Sequence, residues 1–258
     1  MKKFLYLMLL VCSSGSLNAQ SLHHLNKDLP CIDKTFQVYV HVMWNEERMT
    51  NITADIIKEE IEGASMYFDP ICVRFEVCKI DTFPDWNYDD YRTHPEYMSE
   101  IVSMIHEKNR INIYYISEFD DPNICGLARL KGIAMENSGV VYIKKACGSG
   151  TVAHELGHLF GLKHTFEGSG KELVDGSNCL TEGDGICDTP ADPYVPFEPM
   201  TLYLEECEFI SLKTDDNGDF YQPDVGNVMS YYPCACGFTR GQYLKMAQNY
   251  LNSNFKMW

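Results

Sequence analysis

Residues 154–164 read His-Glu-Leu-Gly-His-Leu-Phe-Gly-Leu-Lys-His, a spacing that leaves the backbone few choices. His154 and His158 are four residues apart, so a helix places both imidazoles on one face, where they can bind one metal ion. Gly161 can adopt the left-handed conformation that ends a helix and turns the chain back. The turn would bring His164 to the same ion. The segment therefore predicts a helix, a tight turn and a three-histidine metal site.

The chemistry predicted for this site is that of a catalytic zinc ion. Three neutral imidazoles leave the fourth tetrahedral position of zinc to water, whereas structural zinc sites fill all four positions with protein ligands. Zinc acidifies such a water, and Glu155 is placed to take its proton as the water attacks a carbonyl. A histidine pair at this spacing also occurs on ordinary amphipathic helices. The glutamate, the glycine and the third histidine together favour the metal site.

These residues resemble the signature of the metzincin metalloproteases, in which a methionine turn follows further along the chain. Residues 227–231, Asn-Val-Met-Ser-Tyr, match that turn. Residues 183–191, Gly-Asp-Gly-Ile-Cys-Asp-Thr-Pro-Ala, and residues 238–242, Phe-Thr-Arg-Gly-Gln, are similar to the pappalysin family, whose compact bacterial type is ulilysin. The resemblance covers roughly residues 110–250.

The resemblance implies an α+β fold of the metzincin type, a catalytic domain over residues 35–258 with two lobes. The upper lobe, 35–164, would hold a mixed twisted sheet with a backing helix and the zinc helix. The lower lobe, 165–258, would be rich in loops, held by disulfides and calcium, and would end in a C-terminal helix. Hydrophobic periodicity agrees with this order. It predicts strands at 35–44, 71–80, 111–117 and 140–143, and helices at 53–68, 96–108 and 239–251.

The resemblance also implies roles for residues around the zinc. The three histidines of the motif would bind zinc, and Glu155 would act as general base. Met229 would form an apolar floor beneath the histidines. Tyr231 would donate a hydrogen bond to the tetrahedral intermediate, with Tyr232 as its rival. The strand predicted before the zinc helix, around 132–139, is our candidate edge for pairing with the substrate backbone.

Acidic residues are concentrated in the predicted lower lobe. The net charge is −16, and residues 172–224 hold fourteen acidic side chains and one lysine. Such a charge disfavours binding to nucleic acids or anionic membranes. In ulilysin-like enzymes the segment after the zinc motif supplies calcium ligands, and the matching positions are Asp184 and Thr189, with Asp188 close by. Residues 215–219 resemble half of a second calcium loop, and a solvated turn is an equal alternative.

The N-terminus is typical of a secretory signal. Residues 1–19 contain two lysines, an apolar run too short to span a bilayer and a small-residue cleavage site ending at Ala19. Lipidation of Cys12 is the alternative to plain secretion. Residues 20–34 would form an N-terminal arm or a short pro-segment. No later stretch is long and apolar enough to cross a membrane.

Cysteine usage agrees with export. Ten cysteines follow the predicted cleavage site, an even number, and an exported chain is expected to form disulfides. The resemblance pairs Cys179 with Cys207. It also pairs Cys236 with a cysteine missing from the family position, for which Cys187 is the candidate replacement and Cys234 the alternative.

Five cysteines lie in the upper lobe and its N-terminal arm: Cys31, Cys72, Cys78, Cys125 and Cys147. Cys72 and Cys78 occupy a segment that is predicted to be extended, too far apart to bond each other, so each should have a distant partner. Cys31 is either a disulfide partner or a short cysteine switch that blocks the zinc.

We therefore predict a secreted, monomeric zinc endopeptidase that hydrolyses extracellular proteins or peptides. An inactive zinc-containing binding or adhesion protein of the same fold is the alternative from another class. A gluzincin-like site with a downstream glutamate as third ligand is a lesser enzymatic alternative. Ala235 and Gly237 occupy places where relatives that prefer a basic residue after the scissile bond carry an acid. That preference is therefore not predicted here.

Overall fold

The computed structural model describes residues 29–91 and 96–257. The predicted signal segment, Cys12 and residues 20–28 of the predicted N-terminal arm lie outside these residues. Among the helices of the described part, none is long and apolar enough to cross a membrane.

A five-stranded mixed sheet forms the upper lobe, in the order β2-β1-β3-β5-β4. The first three neighbouring pairs are parallel, and β4 pairs antiparallel with β5 at the edge of the sheet. The central strand β3 is buried along its whole length, as its continuous apolar sequence requires. The strands are β1 (Lys34–Met43), β2 (Val73–Phe83), β3 (Ile111–Ile116), β4 (Gly126–Ala128) and β5 (Val140–Lys144).

Helices cover both faces of this sheet. They are α1 (Ala54–Met66), α2 (Tyr97–Ile105), α3 (Ser149–Phe160) and α4 (Arg240–Leu251). Helices α1, α3 and α4 share the main hydrophobic core with one face, whereas Ile101 of α2 packs on the other face with Tyr114 and Tyr142. Thr53 caps α1 through a hydrogen bond from the Ile56 amide. The predicted α+β fold and its order of elements are confirmed.

The lower lobe has little regular structure, as predicted. Between the zinc motif and α4 its only strands among the described residues are the hairpin strands β6 (Leu204–Glu205) and β7 (Glu208–Phe209). An aromatic cluster that includes Phe166, Tyr203 and Tyr232 supplies its own small core. Helix α4 then returns to the upper lobe and packs against α3, with the predicted capping box at its first turn.

The substrate-edge prediction at 132–139 is wrong. Residues Gly132–Ala134 form a single 3₁₀ turn, and no strand follows before β5. The free edge of the sheet on the side of the zinc helix is β4, which lies earlier in the chain. Three residues are too few to show an alternating pattern, so only pairing with β5 reveals this strand.

Four disulfides link the described residues: Cys31–Cys72, Cys125–Cys147, Cys179–Cys187 and Cys207–Cys234. The predicted bond between Cys179 and Cys207 is therefore wrong, and so is a bond from Cys236 to Cys187 or Cys234. A series of tight turns brings Cys187 to within 5.1 Å of Cys179, Cα to Cα. The β6–β7 hairpin instead places Cys207 beside Cys234.

The upper-lobe cysteines follow the predictions in part. Cys31 is bonded to Cys72, which favours its role as a disulfide partner over that of a switch. Cys78 has no disulfide partner among the described residues, contrary to prediction, and neither has Cys236. Cys78 is the extra residue of a β-bulge in β2, and its thiol donates a hydrogen bond to the Val38 carbonyl at 3.2 Å.

Candidate active site

Helix α3 carries the first two histidines and the glutamate of the motif, and it ends at Gly161 as predicted. Gly161 has a φ of +99°, in the left-handed region that disfavours side chains. The Leu162 amide reaches back to the Gly157 carbonyl at 3.0 Å, which closes the turn. The chain therefore reverses direction at once and returns His164 to the side of the helix.

The three histidines meet at one point. The Nε2 atom of His164 lies 3.0 Å from Nε2 of His158 and 3.2 Å from Nε2 of His154. Tetrahedral zinc with Zn–N bonds of about 2.05 Å would place these nitrogens about 3.3 Å apart, so the spacing fits one zinc ion. Among the described residues, this is the one group of three or more histidine, cysteine or acidic side chains whose ligand atoms lie within 4.8 Å of one another.

Backbone carbonyls orient two of these rings. Nδ1–H of His154 donates to the Val228 carbonyl at 2.7 Å, and Nδ1–H of His158 donates to the Leu162 carbonyl at 2.8 Å. A ring nitrogen that faces a carbonyl must carry the proton, so both Nε2 lone pairs are free for a metal. Burial lowers the pKa of His154 to about 3, which keeps its imidazole neutral.

Glu155 projects from α3 beside this cluster and is 5% exposed. Its Oε2 atom is buried and has no hydrogen-bond partner among the described residues. Burial raises the pKa of its carboxyl group to about 8. Gly126 of β4 lies directly against the Glu155 side chain. One oxygen of the carboxylate is therefore buried between the zinc helix and the edge strand.

The methionine turn lies beneath the zinc helix. Met229 is fully buried, and its sulfur fills the space that a side chain at Gly157 would need. The residue before it, Val228, provides the carbonyl that orients His154. The turn therefore has two contacts with α3, one through the methionine sulfur and one through a zinc-site histidine.

A buried amide pair fixes this turn to the C-terminal helix. Asn227 and Gln242 are both fully buried and exchange two hydrogen bonds, of 2.9 and 3.2 Å. Asn227 Oδ1 also accepts from the Met229 amide at 2.9 Å, and Gln242 Oε1 accepts from the Thr239 amide at 2.9 Å. The sequence identifies Gln242 only as a helix cap. Its contact with the methionine turn is a feature that sequence reasoning missed.

The two tyrosines after the turn face different surroundings. The Tyr231 ring lies 4.9 Å from the ring of His164 and 5.7 Å from that of His154, centre to centre, and 46% of the residue is exposed. Tyr232 is buried, and its hydroxyl donates to Asp192 Oδ1 at 2.8 Å. Only Tyr231 borders the histidine cluster.

The predicted calcium residues lie together in the lower lobe. Asp184 Oδ2 and Thr189 Oγ1 are both buried and lack hydrogen-bond partners among the described residues. Sequence reasoning missed Glu172, whose carboxylate lies against Gly183, next to Asp184. Burial raises the pKa of Asp184 to about 6, and burial together with the Asp184 charge raises the pKa of Glu172 to about 7. Each shift reflects a carboxylate without a nearby counter-charge.

Two other acidic positions serve as backbone acceptors. Asp188 binds the start of α4, accepting from the Thr239 hydroxyl at 2.9 Å and the Gly241 amide at 2.7 Å. Asp215 accepts three backbone N–H groups, from Val174 and from two residues of its own turn. The segment 215–219 is thus closed by its own hydrogen bonds, which favours the turn over the second calcium loop.

Comparisons with family models and with solved structures find similarity to metallopeptidases. The family model described as Pregnancy-associated plasma protein-A matches residues 131–251, and the model described as Metallo-peptidase family M12B Reprolysin-like matches residues 54–165. A Tannerella forsythia promirolysin mutant shares 18% identity at a TM-score of 0.62, over 91% of this chain and 87% of that chain. Mature mirolysin of the same organism, in complex with a cleaved peptide, shares 19% identity at a TM-score of 0.60, over 84% and 91% respectively. No curated protein matches.

Proposed function

Because the chain belongs to the pappalysin family of metzincin metallopeptidases and is a zinc metalloendopeptidase, we propose that it is secreted and cleaves extracellular proteins or peptides with Glu155 as general base. One observation carries this proposal. Three imidazole nitrogens with the spacing of a single zinc site stand beside a buried, unpaired carboxylate. Four disulfides among the described residues support export, because such bonds persist in oxidising compartments.

Each residue of the site has a separate role in peptide hydrolysis. Zinc, held by the three histidines, would acidify a water molecule and polarise the scissile carbonyl. Glu155 takes the proton of the attacking water and delivers it to the leaving amine. Tyr231 is placed to donate a hydrogen bond to the carbonyl oxygen as negative charge develops there.

The test of this mechanism is Glu155→Ala, assayed for zinc content and for cleavage of a peptide mixture. We expect one zinc per chain and a loss of cleavage by several orders of magnitude, since the general base is removed while the ligands remain. Undiminished cleavage by Glu155→Ala would contradict the mechanism. Loss of zinc from His164→Ala separates the three-histidine site from the gluzincin-like alternative.

The same peptide mixture tests the inactive-protein alternative and reports the cleavage specificity. Wild-type protein that holds zinc yet cleaves no peptide, with or without chelator, would fit the inactive binding protein and contradict our proposal. The sequences around the cleaved bonds also report specificity. We expect no strong preference for a basic residue after the scissile bond, because Ala235 and Gly237 offer no carboxylate there.

We further propose that Asp184, Thr189 and Glu172 hold a structural calcium ion. Two unpaired buried oxygens and two carboxylates with raised pKa support this site, since calcium prefers such oxygen ligands. Calcium added to chelated, zinc-reloaded protein should raise the Tm of the wild type. Asp184→Asn should lose most of this gain, and the exposed Asp216→Asn should keep it. Equal gains in both variants would exclude the site.

A further inference from the structure

The edge strand β4 and the general base are in direct contact. An ideal Cβ atom on Gly126 would lie 2.5 Å from Glu155 Cγ, 2.6 Å from Oε1 and 2.8 Å from Cδ. Real Cβ atoms essentially never come closer than 3.0 Å to such neighbours. A glycine is therefore required here for the strand to approach Glu155 as closely as it does.

A disulfide holds the strand in this position. Cys125 precedes Gly126 directly, and its partner Cys147 directly precedes Gly148, the N-cap of α3. The Cys125 carbonyl also accepts a hydrogen bond from the Lys144 amide at 2.8 Å. The start of β4 is thus tied covalently to the start of the helix that carries the general base, and by pairing to β5.

Packing against Gly126 restricts the Glu155 side chain. A glutamate side chain has three rotatable bonds, and fixing them has an entropic cost that some contact must offset. Glu155 Oε2 makes no hydrogen bond among the described residues, so no donor holds that end. The Gly126 backbone instead lies against Cγ, Cδ and Oε1.

We propose that Gly126 is a positioning residue that sets the location of the Glu155 carboxylate through direct contact. The inference rests on the proposed role of Glu155 as general base. It assigns the edge strand a task that involves the enzyme's own side chain, separate from any pairing with the substrate backbone.

The expected effect of Gly126→Ala follows from the distances. Ordinary contact begins at 3.4 Å, so Oε1 would have to move about 0.8 Å from its present 2.6 Å. The end of a glutamate side chain is flexible and can move without unfolding the protein. Because a displacement of about 1 Å can lower a rate about a hundredfold, we expect kcat to fall about ten- to a hundredfold, with KM within about twofold of wild type.

Gly150→Ala is the matched control. Gly150 lies in the first turn of α3, and nothing lies within 4 Å of its ideal Cβ position. This variant should retain wild-type kcat. Zinc content should match the wild type in both variants and Tm should not fall in either, so that a lower kcat in Gly126→Ala alone reports the position of the base.

A double-mutant cycle separates an effect of Gly126 on Glu155 from an effect of Gly126 on peptide binding. In a Glu155→Gln background, Gly126→Ala should have no further effect on residual activity, and calorimetry should give an unchanged Kd for an intact peptide. Weaker peptide binding by the double variant than by Glu155→Gln would overturn the positioning role alone. So would a wild-type kcat in Gly126→Ala when Glu155→Gln is inactive. A fully active Glu155→Gln would instead overturn the proposed function.

Discussion

The buried amide pair between the methionine turn and α4 makes Gln242→Leu a sharp test of how the zinc site is supported. Leucine has similar volume but no polar atoms. The substitution removes the acceptor of Asn227 Nδ2, at 2.9 Å, and that of the Thr239 amide, also at 2.9 Å. Asn227 is fully buried, so water cannot replace the lost partner.

The magnitude follows from these two losses. An unpaired buried donor costs about 1–3 kcal/mol, and loss of a helix cap costs about 1 kcal/mol. We therefore expect Gln242→Leu to lower the free energy of unfolding by about 2–4 kcal/mol in urea denaturation with disulfides intact. At about 2–4 °C per kcal/mol for a chain of this size, Tm should fall by about 5–15 °C.

Gln248→Leu provides the matched control, because it makes the same change at an exposed position of the same helix. Surface changes of this kind stay within about 0.5 kcal/mol. Zinc affinity should also weaken in Gln242→Leu, since Asn227 anchors the turn whose Val228 carbonyl orients His154. Equal stability of the two variants would refute the claim that the amide pair is sealed from water.

Three further predictions concern other buried or site-facing groups. Tyr231→Phe should lower kcat about a hundred- to a thousandfold in a peptide assay, whereas Tyr232→Phe should mainly lower Tm. Lys145→Met should lower the free energy of unfolding in urea by about 3–5 kcal/mol, since it leaves the buried Asp89 carboxylate, 2.6 Å from the ammonium group, unpaired. Burial lowers the pKa of His41, so as the pH falls below about 6.5 the unfolded chain binds a proton before the folded protein does, and the free energy of unfolding decreases. This decrease is at most about 1.4 kcal/mol per pH unit, and it should be absent from urea denaturation curves of His41→Phe.

Elements with a strong local pattern were predictable from sequence. In strand β1 the apolar residues alternate from Phe36 to Val42, and the turn after α3 needs only one glycine at a fixed distance from two histidines. Such features depend on residues close in the chain, where periodicity and backbone preference act directly. The three-histidine cluster belongs to this class, because ten residues separate its first and last ligands.

Features that depend on distant residues were not predictable in the same way. Strand β4 exists only because β5 and the Cys125–Cys147 bond hold it. The partners of Cys179 and Cys207 are decided by how the lower-lobe turns fold, and no spacing rule encodes that outcome. The second role of Gln242 likewise requires Asn227, fifteen residues away, to be buried beside it.

The acidic side chains of the lower lobe lie in two kinds of surroundings. A lobe with little regular structure must find acceptors for its backbone N–H groups, and the short aspartate side chain, which only accepts when ionised, meets that need. Asp215 accepts three such groups, and Asp188 closes the first turn of α4. These charges are therefore already used by the fold. Asp184 and Glu172 differ, because burial raises the pKa of both carboxyl groups and the Asp184 charge raises that of Glu172 further. These two carboxylates are therefore the ones that support the proposed calcium ion.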